Sequence, residues 1–296
     1  MITSKQPRWH HWLVFFAPAL ILYTVFMVWP LLDSLRWSFF APQPDNPGSY
    51  VYVGLENYRQ FFSGPSAEGF WTAFSNTIKF LAIIMFVGNP LALLLATLLT
   101  SPRLRWAATY RTIIFVPTVL SVIIAGWVWQ LMLNPLWGII NDILMGVGLE
   151  DAIPKAGWLG TSGVALIVVA LVATWQFVGL PMILFLAALA GIDDELLDCA
   201  QVDGASSWVV FWRIKLPLIL PTVGLVVILT IILNFPAFDI QRVMGGRDSF
   251  LLANLFYSSF AESRTSGAVV SSIMFVIVGT VGLSYFFVFQ RYLSRV

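Results

Sequence analysis

The amino-acid sequence predicts an all-α integral membrane protein with six transmembrane helices. Of its 296 residues, 59% are hydrophobic and only 10% are charged, whereas soluble domains carry about a quarter charged residues. The apolar residues also occur in unbroken runs of about 20 or more, the length that a helix needs to cross about 30 Å of hydrocarbon. We expect a single transmembrane domain over residues 1–296. Its predicted spans are about 13–32, 80–100, 113–133, 164–189, 218–238 and 268–289.

The first run is expected to be an uncleaved span rather than a signal peptide. Lys5 and Arg8 resemble the charged start of a signal peptide, and residues 17–19 resemble a cleavage site. That triplet, however, lies inside an apolar run that continues to Leu32, and a signal peptide would be cleaved after its apolar region.

Prolines lie inside several of the runs. We expect them to kink the helices rather than break them, because neighbouring helices can satisfy the freed carbonyls. These prolines are Pro18, Pro90, Pro117, Pro181, Pro221 and Pro236. The apolar segment 139–149 is too short to cross a bilayer, contains Asp142, and is expected to be a helix in an external loop.

The charges of the loops predict that both termini are cytoplasmic. An even number of spans places both ends of the chain on one side of the membrane. The short loop 101–111 carries three arginines and no acid, whereas the first loop on the other side carries Asp45, Glu56 and Glu68. Positively charged short loops favour the cytoplasmic side. The formal net charge of +1 gives no reason to expect a nucleic-acid partner.

The spans lack the groups that would let the chain supply its own energy. All fifteen carboxylates lie outside the apolar runs or at their ends, with Asp33 and Asp239 closest. A proton-driven transporter normally keeps an ionisable group at membrane depth, although sodium coupling through carbonyls or hydroxyls stays open. A nucleotide-binding P-loop requires Gly-Lys, and none of the four lysines follows a glycine.

The sequence offers no candidate for catalysis or metal binding either. The only histidines, His10 and His11, are adjacent and close to the N-terminus, far from a candidate nucleophile. Cys199 is the only cysteine, so neither an internal disulfide nor a cysteine-rich metal site can form. We therefore expect no catalytic residue, no metal and no cofactor in this chain, with energy supplied by a partner.

The segment 192–217 combines polar and helical patterns. Its acidic residues 193–195 cluster at a helix start, where they complement the helix dipole. A short helix through Val202 is followed by Asp203-Gly204, a turn signal. A second helix is predicted from Ala205, with an aromatic face at helical spacing. That face comprises Trp208, Phe211 and Trp212. Two helices bent at a glycine form a compact knob that fits a cleft of another protein.

The aromatic residues of this segment have a second interpretation. Trp208 and Trp212 also suit an interfacial helix that lies on the membrane, or packing on the helix bundle. The corner from Ala200 to Ala205 differs, because Gly204 lets another backbone approach closely, and a membrane anchor does not need that.

The corner resembles a known family motif. The pattern Asp198-Cys199-Ala200-x-x-Asp203-Gly204-Ala205, followed by Phe211, Ile214, Leu216 and Pro217, resembles the cytoplasmic signature loop of binding-protein-dependent ABC importer permeases. The family pattern is Glu-Ala-Ala-x-x-x-Gly-Ala, so Asp198 replaces the Glu and Cys199 replaces the first Ala. We call residues 192–217 the coupling loop.

Motifs along the whole chain resemble the sugar-importer permeases related to the larger chain of the maltose system. One departure is Arg247, where the family usually has Pro after Gly-Gly. The resembling motifs are residues 54–58, Phe70-Trp71, Asn76-Thr77, Arg111 with Pro117, Trp129, residues 138–141, Trp158-Leu159, residues 238–240, Gly245-Gly246 and residues 255–260.

The resemblance implies a permease of the type I ABC importer fold in the bacterial cytoplasmic (inner) membrane. It implies a second homologous permease chain, two ATPase subunits and an extracytoplasmic solute-binding protein as partners, besides membrane lipid. ATP and Mg²⁺ would be bound by the ATPase subunits, and a sugar or sugar derivative would pass by alternating access. The ATPase-docking residues would be Asp198, Cys199, Ala200, Asp203, Gly204 and Ala205.

A few polar and aromatic residues within the spans are candidates for the substrate pathway. A sugar requires amide hydrogen bonds and flat apolar faces against its ring. The alternative is that the amides join helices and the tryptophans form an interfacial belt. The candidates are Asn89, Trp129, Gln130, Trp175, Gln176, Asn234 and Asp239.

An ion-coupled secondary solute transporter is the main alternative function, because many such transporters also use kinked helices. It predicts inverted repeats with paired interrupted helices, and we find no internal repeat in the sequence. A membrane enzyme and a purely structural membrane protein are weaker alternatives.

Overall fold

The computed structural model describes residues 9–43, 45–46, 48–101 and 104–293. Lys5, Arg8 and Arg103, which contribute to the predicted orientation, lie outside these residues, and the side chains of His10, His11 and Arg247 lie outside the description as well. The described chain forms two compact units. One comprises the residues up to Glu68 together with Phe256–Phe275, and the other comprises Gly69–Leu255 together with the residues from Val276 onwards.

Helices make up most of the described chain. In chain order they are α1 (Trp9–Tyr23), α2 (Trp29–Trp37), α3 (Glu56–Ser63), α4 (Ala67–Ile83), α5 (Asn89–Leu99), α6 (Ala107–Val119), α7 (Val122–Met132), α8 (Ile139–Gly146), α9 (Val164–Phe177), α10 (Gly179–Ala190), α11 (Asp194–Val202), α12 (Ser207–Val210), α13 (Leu216–Leu218), α14 (Leu220–Asn234), α15 (Asp239–Met244), α16 (Leu252–Glu262) and α17 (Arg264–Leu293). Two short strands, β1 (Phe40–Pro42) and β2 (Tyr50–Tyr52), pair antiparallel with Phe40 opposite Tyr52.

Up to six helical segments of the described chain are long and apolar enough to cross a membrane. Three are continuous and three are pairs of helices bent at a short break. The continuous ones are Val14–Trp37, Ala67–Leu99 and Arg264–Phe287. The bent ones are Ala107–Val119 with Val122–Met132, Val164–Phe177 with Gly179–Ala190, and Ser207–Leu218 with Leu220–Asn234. Each segment overlaps one of the six apolar runs of the sequence.

The prediction that prolines kink helices without breaking them is wrong for the third run. There the helices α6 and α7 meet at 97°, and the backbone of Leu120 and Ser121 is extended. The freed Leu120 carbonyl accepts a hydrogen bond from the Gln176 side chain at 3.1 Å. The break is tolerated because a neighbouring helix satisfies the carbonyl that the missing helical turn leaves free.

Three widened helical turns precede prolines. The π-helical turns Thr24–Val28, Ile84–Gly88 and Phe211–Lys215 each end two residues before a proline. The residue that follows each turn donates its N–H to the carbonyl five residues back. Proline has no N–H and its ring crowds the preceding turn, so a turn with an extra residue accommodates it without ending the helix. The three prolines are Pro30, Pro90 and Pro217.

The core of the larger unit is built around α5, α9 and α10. Ala92 and Ala96 of α5 are fully buried and belong to one cluster with Met182 and Phe185 of α10. Such small residues one turn apart let two membrane helices approach closely. A second cluster joins Phe80 of α4 to α9, α15 and the segment that precedes α16.

Polar side chains of α4 hold the segment between α15 and α16. The Asn76 amide donates to the carbonyls of Asp248 and Phe250, at 3.0 and 3.1 Å. The Thr77 hydroxyl accepts from the Leu252 amide at 2.9 Å. The helix expected within residues 139–149 is present as α8, where Asn141 accepts a hydrogen bond from the Trp158 indole at 2.8 Å.

The smaller unit is held by polar contacts between α2 and α17. Asp33 and Arg264 form an ion pair at 2.5 Å, and the Arg264 guanidinium lies 4.5 Å from the centre of the Trp37 ring. Ser34 and Ser271 share a hydrogen bond of 2.7 Å. The β1–β2 hairpin follows α2 directly, and the Asn57 amide fixes it by donating to the Phe40 carbonyl at 2.8 Å.

Gly179→Ala should lower the free energy of unfolding by about 1–3 kcal/mol, since it overpacks a close contact. A Cβ at Gly179 would lie 2.8 Å from the Thr118 hydroxyl and 3.0 Å from the Phe115 Cα. Gly69→Ala is the matched control, because a Cβ there would meet no atom within 4 Å. Denaturant titration of both variants in detergent measures the difference, and equal stabilities would contradict the close packing of α6 on α10.

Candidate functional site

The coupling loop folds as two helices joined by a tight corner. Its first helix, α11, begins at an N-cap formed by Asp193, whose carboxylate accepts from the Glu195 amide at 3.1 Å. The second helix, α12, begins at Ser207 rather than at Ala205, because Ser206 is its N-cap and has extended backbone. The Ser206 hydroxyl accepts from the Val209 amide at 3.4 Å.

Gly204 sets the direction of the corner. Its φ of +77° lies in the left-handed region, which side chains disfavour. The Ala205 amide bonds to the Ala200 carbonyl at 2.9 Å and the Gly204 amide to the Gln201 carbonyl at 3.0 Å. These two bonds form a Schellman motif, which satisfies the last carbonyls of α11. A Cβ at Gly204 would meet no atom within 4 Å. Glycine is therefore required for backbone conformation, and space for an approaching partner remains.

The predicted docking residues lie together on the surface of this corner. Asp198, Cys199, Asp203 and Gly204 are exposed, and Ala200 and Ala205 are partly buried. Large apolar side chains of the loop are also exposed, most of all Val202 at 88% and Trp208 at 71%. An exposed patch that mixes carboxylates with large apolar groups is typical of a surface that another protein covers.

The predicted aromatic face of the coupling loop is present. The ring centres of Trp208 and Trp212 are 5.5 Å apart, and those of Phe211 and Trp212 are 5.3 Å apart. Both tryptophans are exposed. Their exposure agrees equally with docking to a protein and with anchoring at the membrane interface.

A cavity of about 310 Å³ lies among the broken helices of the larger unit. Its walls are mainly apolar, and its polar side chains come from α5, α6, α9 and α14. They are Asn89, Thr118, Thr174, Thr230 and Asn234.

The polar groups of this cavity are partly paired with one another. The Thr230 hydroxyl lies 3.1 Å from Oδ1 of the Asn89 side chain, and the Asn234 side-chain amide donates to the Thr230 backbone carbonyl at 2.9 Å. The Asn89 Nδ2 is buried and has no hydrogen-bond partner within the described ranges. A buried donor without a partner is costly, which makes this nitrogen a candidate donor to a bound solute.

The predicted pathway residues lie at several different places in the structure. Asn89 and Asn234 line the cavity, whereas Gln176 is fully buried and bonds to the Leu120 carbonyl at the α6–α7 break. Trp129 and Trp175 contact each other, with ring centres 5.4 Å apart.

The remaining two predicted residues lie elsewhere. Gln130 is exposed and lines a second cavity of about 280 Å³ beside Asn134 and Pro135. Asp239 is exposed at the first position of α15.

The sequence patterns did not predict the threonines that line the cavity. Thr174 and Thr230 each donate to the carbonyl four residues earlier in their own helix, at 2.9 and 2.8 Å. A threonine satisfied in this way is common in an apolar helix, so its presence in the sequence does not indicate a polar site. Only the convergence of four helices identifies these residues.

Comparison with known proteins decides the family. The family described as "Binding-protein-dependent transport system inner membrane component" matches residues 88–295. The chain belongs to this family. The matched range of the permease includes the coupling loop and every polar residue of the 310 Å³ cavity.

Relatives that match over nearly their whole length support this family assignment. A probable ABC transporter permease protein of Pyrococcus horikoshii is 30% identical over 291 residues, covering 96% of the permease and 97% of the relative. The lactose transport system permease protein of Rhizobium radiobacter is 29% identical over 286 residues, covering 93% and 92%.

Solved structures show the same fold. A crystal structure of a bacterial ABC transporter involved in the import of the acidic polysaccharide alginate contains a chain that superposes with a TM-score of 0.80. The match covers 95% of the permease and 96% of that chain, at 22% identity. The predicted class, an all-α membrane protein with the permease fold of type I ABC importers, is confirmed.

Gly204→Ala should loosen the corner of the coupling loop, because a left-handed residue with a Cβ costs about 1–2 kcal/mol. Hydrogen–deuterium exchange at the Ala205 amide should then be about tenfold faster. Gly204→Asn is the comparison variant, since asparagine tolerates this conformation better, and it should change the exchange less. Equal exchange rates in the two variants would argue against a conformational role for Gly204.

Proposed function

We propose that the permease passes a sugar or sugar derivative across the bacterial cytoplasmic membrane by alternating access, driven by ATPase subunits docked on the coupling loop. The observation that carries this proposal is the exposed, conformationally fixed corner at residues 198–205. This corner suits a cleft in a soluble partner, because it combines carboxylates, exposed apolar groups and an open glycine. The chain itself lacks the Gly-Lys of a nucleotide-binding loop.

The proposed assembly contains this permease, a second homologous permease chain, two ATPase subunits and an extracytoplasmic solute-binding protein. ATP and Mg²⁺ bind to the ATPase subunits, and this chain holds no cofactor. Both termini lie in the cytoplasm, on the side where the coupling loop meets the ATPase. The family's description as a binding-protein-dependent transport component supports the binding protein as a partner.

The coupling loop is continuous in the chain with helices that line the cavity, so a movement caused by docking would be passed to the solute site. The coupling loop follows α10 directly and leads through α13 into α14. Residues of α10 and α14 line the 310 Å³ cavity, with Leu180 and Leu184 on one side and Thr230 and Asn234 on the other. A displacement of the corner therefore pulls on two walls of the cavity. The bends of 47° before α10 and 68° before α14 divide these segments into parts that can move separately.

The chemistry of the cavity supports a polyhydroxylated solute. A site of about 300 Å³ lies at the lower end of the usual range for small molecules. Amide and hydroxyl groups of Asn89, Thr230 and Asn234 can exchange hydrogen bonds with sugar hydroxyls, while the apolar walls cover the faces of a ring.

The names of relatives support the same solute class. Besides the lactose permease, they include the arabinooligosaccharide permease of Bacillus subtilis, 27% identical over 278 residues. The diacetylchitobiose permease of Streptomyces coelicolor is 30% identical over 293 residues.

Gly204→Trp should abolish co-purification of the ATPase subunit, because the indole would fill the space at the corner. The permease is expressed with its neighbouring genes and purified in detergent, and the amount of bound ATPase is measured. Gly148→Trp is the matched control, since Gly148 also has positive φ and open space around its Cβ, and it should retain the ATPase.

One further result of these experiments would contradict the proposal. If wild-type permease binds no ATPase and uptake in vesicles follows an ion gradient, the chain is an ion-coupled secondary transporter and the proposal fails.

Thr230→Val should reduce sugar uptake about tenfold or more, since an unmade hydrogen bond in a buried site costs about 1–3 kcal/mol. The assay is uptake into proteoliposomes of the sugar that the solute-binding protein retains. Thr112→Val is the matched control, because the Thr112 hydroxyl also donates to the carbonyl four residues earlier but Thr112 lies outside the cavity. Equal uptake by both variants would show that the solute does not contact this cavity.

A further inference from the structure

A third cavity, polar and of about 690 Å³, lies behind the coupling loop, and the proposed function assigns it no ligand. It separates the coupling loop from the end of α5. Residues of α5 and its C-terminal turn line one side, and residues of α11, α12 and the π-helical turn line the other. The lining residues are Thr97, Thr100, Ser101, Leu197, Gln201, Gly204, Ala205, Ser206, Ser207, Val210, Phe211 and Lys215.

Four polar side chains of this cavity have no partner in the described chain. Lys215 forms no ion pair among these residues, although its side chain is half-buried. Gln201, Ser101 and Ser207 likewise make no side-chain hydrogen bond there. Each of the four carries at least one hydrogen-bond donor. Their donors come from both sides of the cavity.

The charge among the described residues that line this cavity is positive. Among the described residues that line the cavity none is acidic, and Lys215 is the one cation. A half-buried ammonium that forms no ion pair with a described carboxylate favours an anion. An ammonium together with hydroxyl and amide donors is the arrangement that binds the oxygens of a phosphate group.

We propose that this cavity binds a phosphate group. Lys215 supplies the charge, and Ser101, Gln201 and Ser207 donate hydrogen bonds to the phosphate oxygens. The bound group would bridge the end of α5 and the second helix of the coupling loop. It would therefore restrain the segment that carries the corner at Gly204. The phosphate comes either from a phospholipid headgroup, since the cavity lies at the end of a membrane-spanning helix, or from a soluble phosphate compound.

The permease carries its own reporter for this site. Cys199 is its only cysteine and is exposed on α11, the helix that contributes Leu197 and Gln201 to the cavity. An environment-sensitive fluorophore on Cys199 of the full chain, in phosphate-free detergent, allows titration with inorganic phosphate at constant ionic strength. We expect a saturable change in fluorescence.

Two charge variants test whether the cavity, rather than general surface charge, binds phosphate. Lys215→Gln should weaken phosphate binding at least about tenfold, because it removes a charge-assisted hydrogen bond. Arg213→Gln removes the same charge from an exposed residue that does not line the cavity, and binding should change less than about twofold. Lys215→Arg keeps the charge, and the phosphate response should persist.

Lipids distinguish the two sources of phosphate. Phosphatidylglycerol added to the micelles should block the phosphate response if the site takes a lipid headgroup, whereas it should leave the response unchanged if the site takes a soluble phosphate. The proposal fails if neither phosphate nor phosphatidylglycerol gives a saturable response, or if Lys215→Gln and Arg213→Gln weaken binding equally. This assay contains no ATPase and no sugar, so its outcome is independent of the proposed transport function.

Discussion

The bilayer offers no partner to an exposed backbone carbonyl or amide, and the sharpest helix break of this permease lies where the chain provides one. At the sharpest break, between α6 and α7, the side chain of Gln176 donates to the Leu120 carbonyl, and the Thr118 hydroxyl donates to the Gln176 carbonyl at 3.0 Å. The two helices are thus joined to α9 through both the side chain and the backbone of one residue. This reciprocal contact allows a 97° bend inside an apolar segment.

The same breaks create the space that a transported solute needs. Straight helices pack side by side and leave little room, as the buried contacts of Ala92 and Ala96 against α10 show. Where α6 ends at Val119 and α9 turns into α10, the helices diverge and the 310 Å³ cavity opens between them. Close packing farther along α5 and a cavity at its first residue, Asn89, are therefore two results of the same geometry.

The coupling loop obeys a different constraint, because its corner carries carboxylates and lies outside the six apolar runs. Its carbonyls are satisfied locally, through the Schellman motif at Gly204 and the caps at Asp193 and Ser206. The corner is thereby defined without support from the helix bundle. A structure of this kind keeps its shape while exposing large apolar side chains such as Val202 and Trp208.

The sequence by itself determined the class of the protein, the positions of its apolar runs and the helix–turn–helix of the coupling loop. These features depend on residues close together in the chain: runs of about 20 apolar residues, and an Asp-Gly turn between two helical patterns. The predicted start of the second helix erred by two residues only because Ser206 caps it.

Only the tertiary structure decided which polar residues share a cavity. Asn89, Thr118 and Thr230 are far apart in sequence, and each threonine donates its hydroxyl to a helix carbonyl. Gln176 and Asn89 look alike in sequence, yet one closes a helix break and the other faces the cavity. The break after Pro117 is likewise a tertiary feature, because Gln176 of α9 satisfies the Leu120 carbonyl there. The packing of helices distant in sequence sets these roles, and no local pattern encodes it.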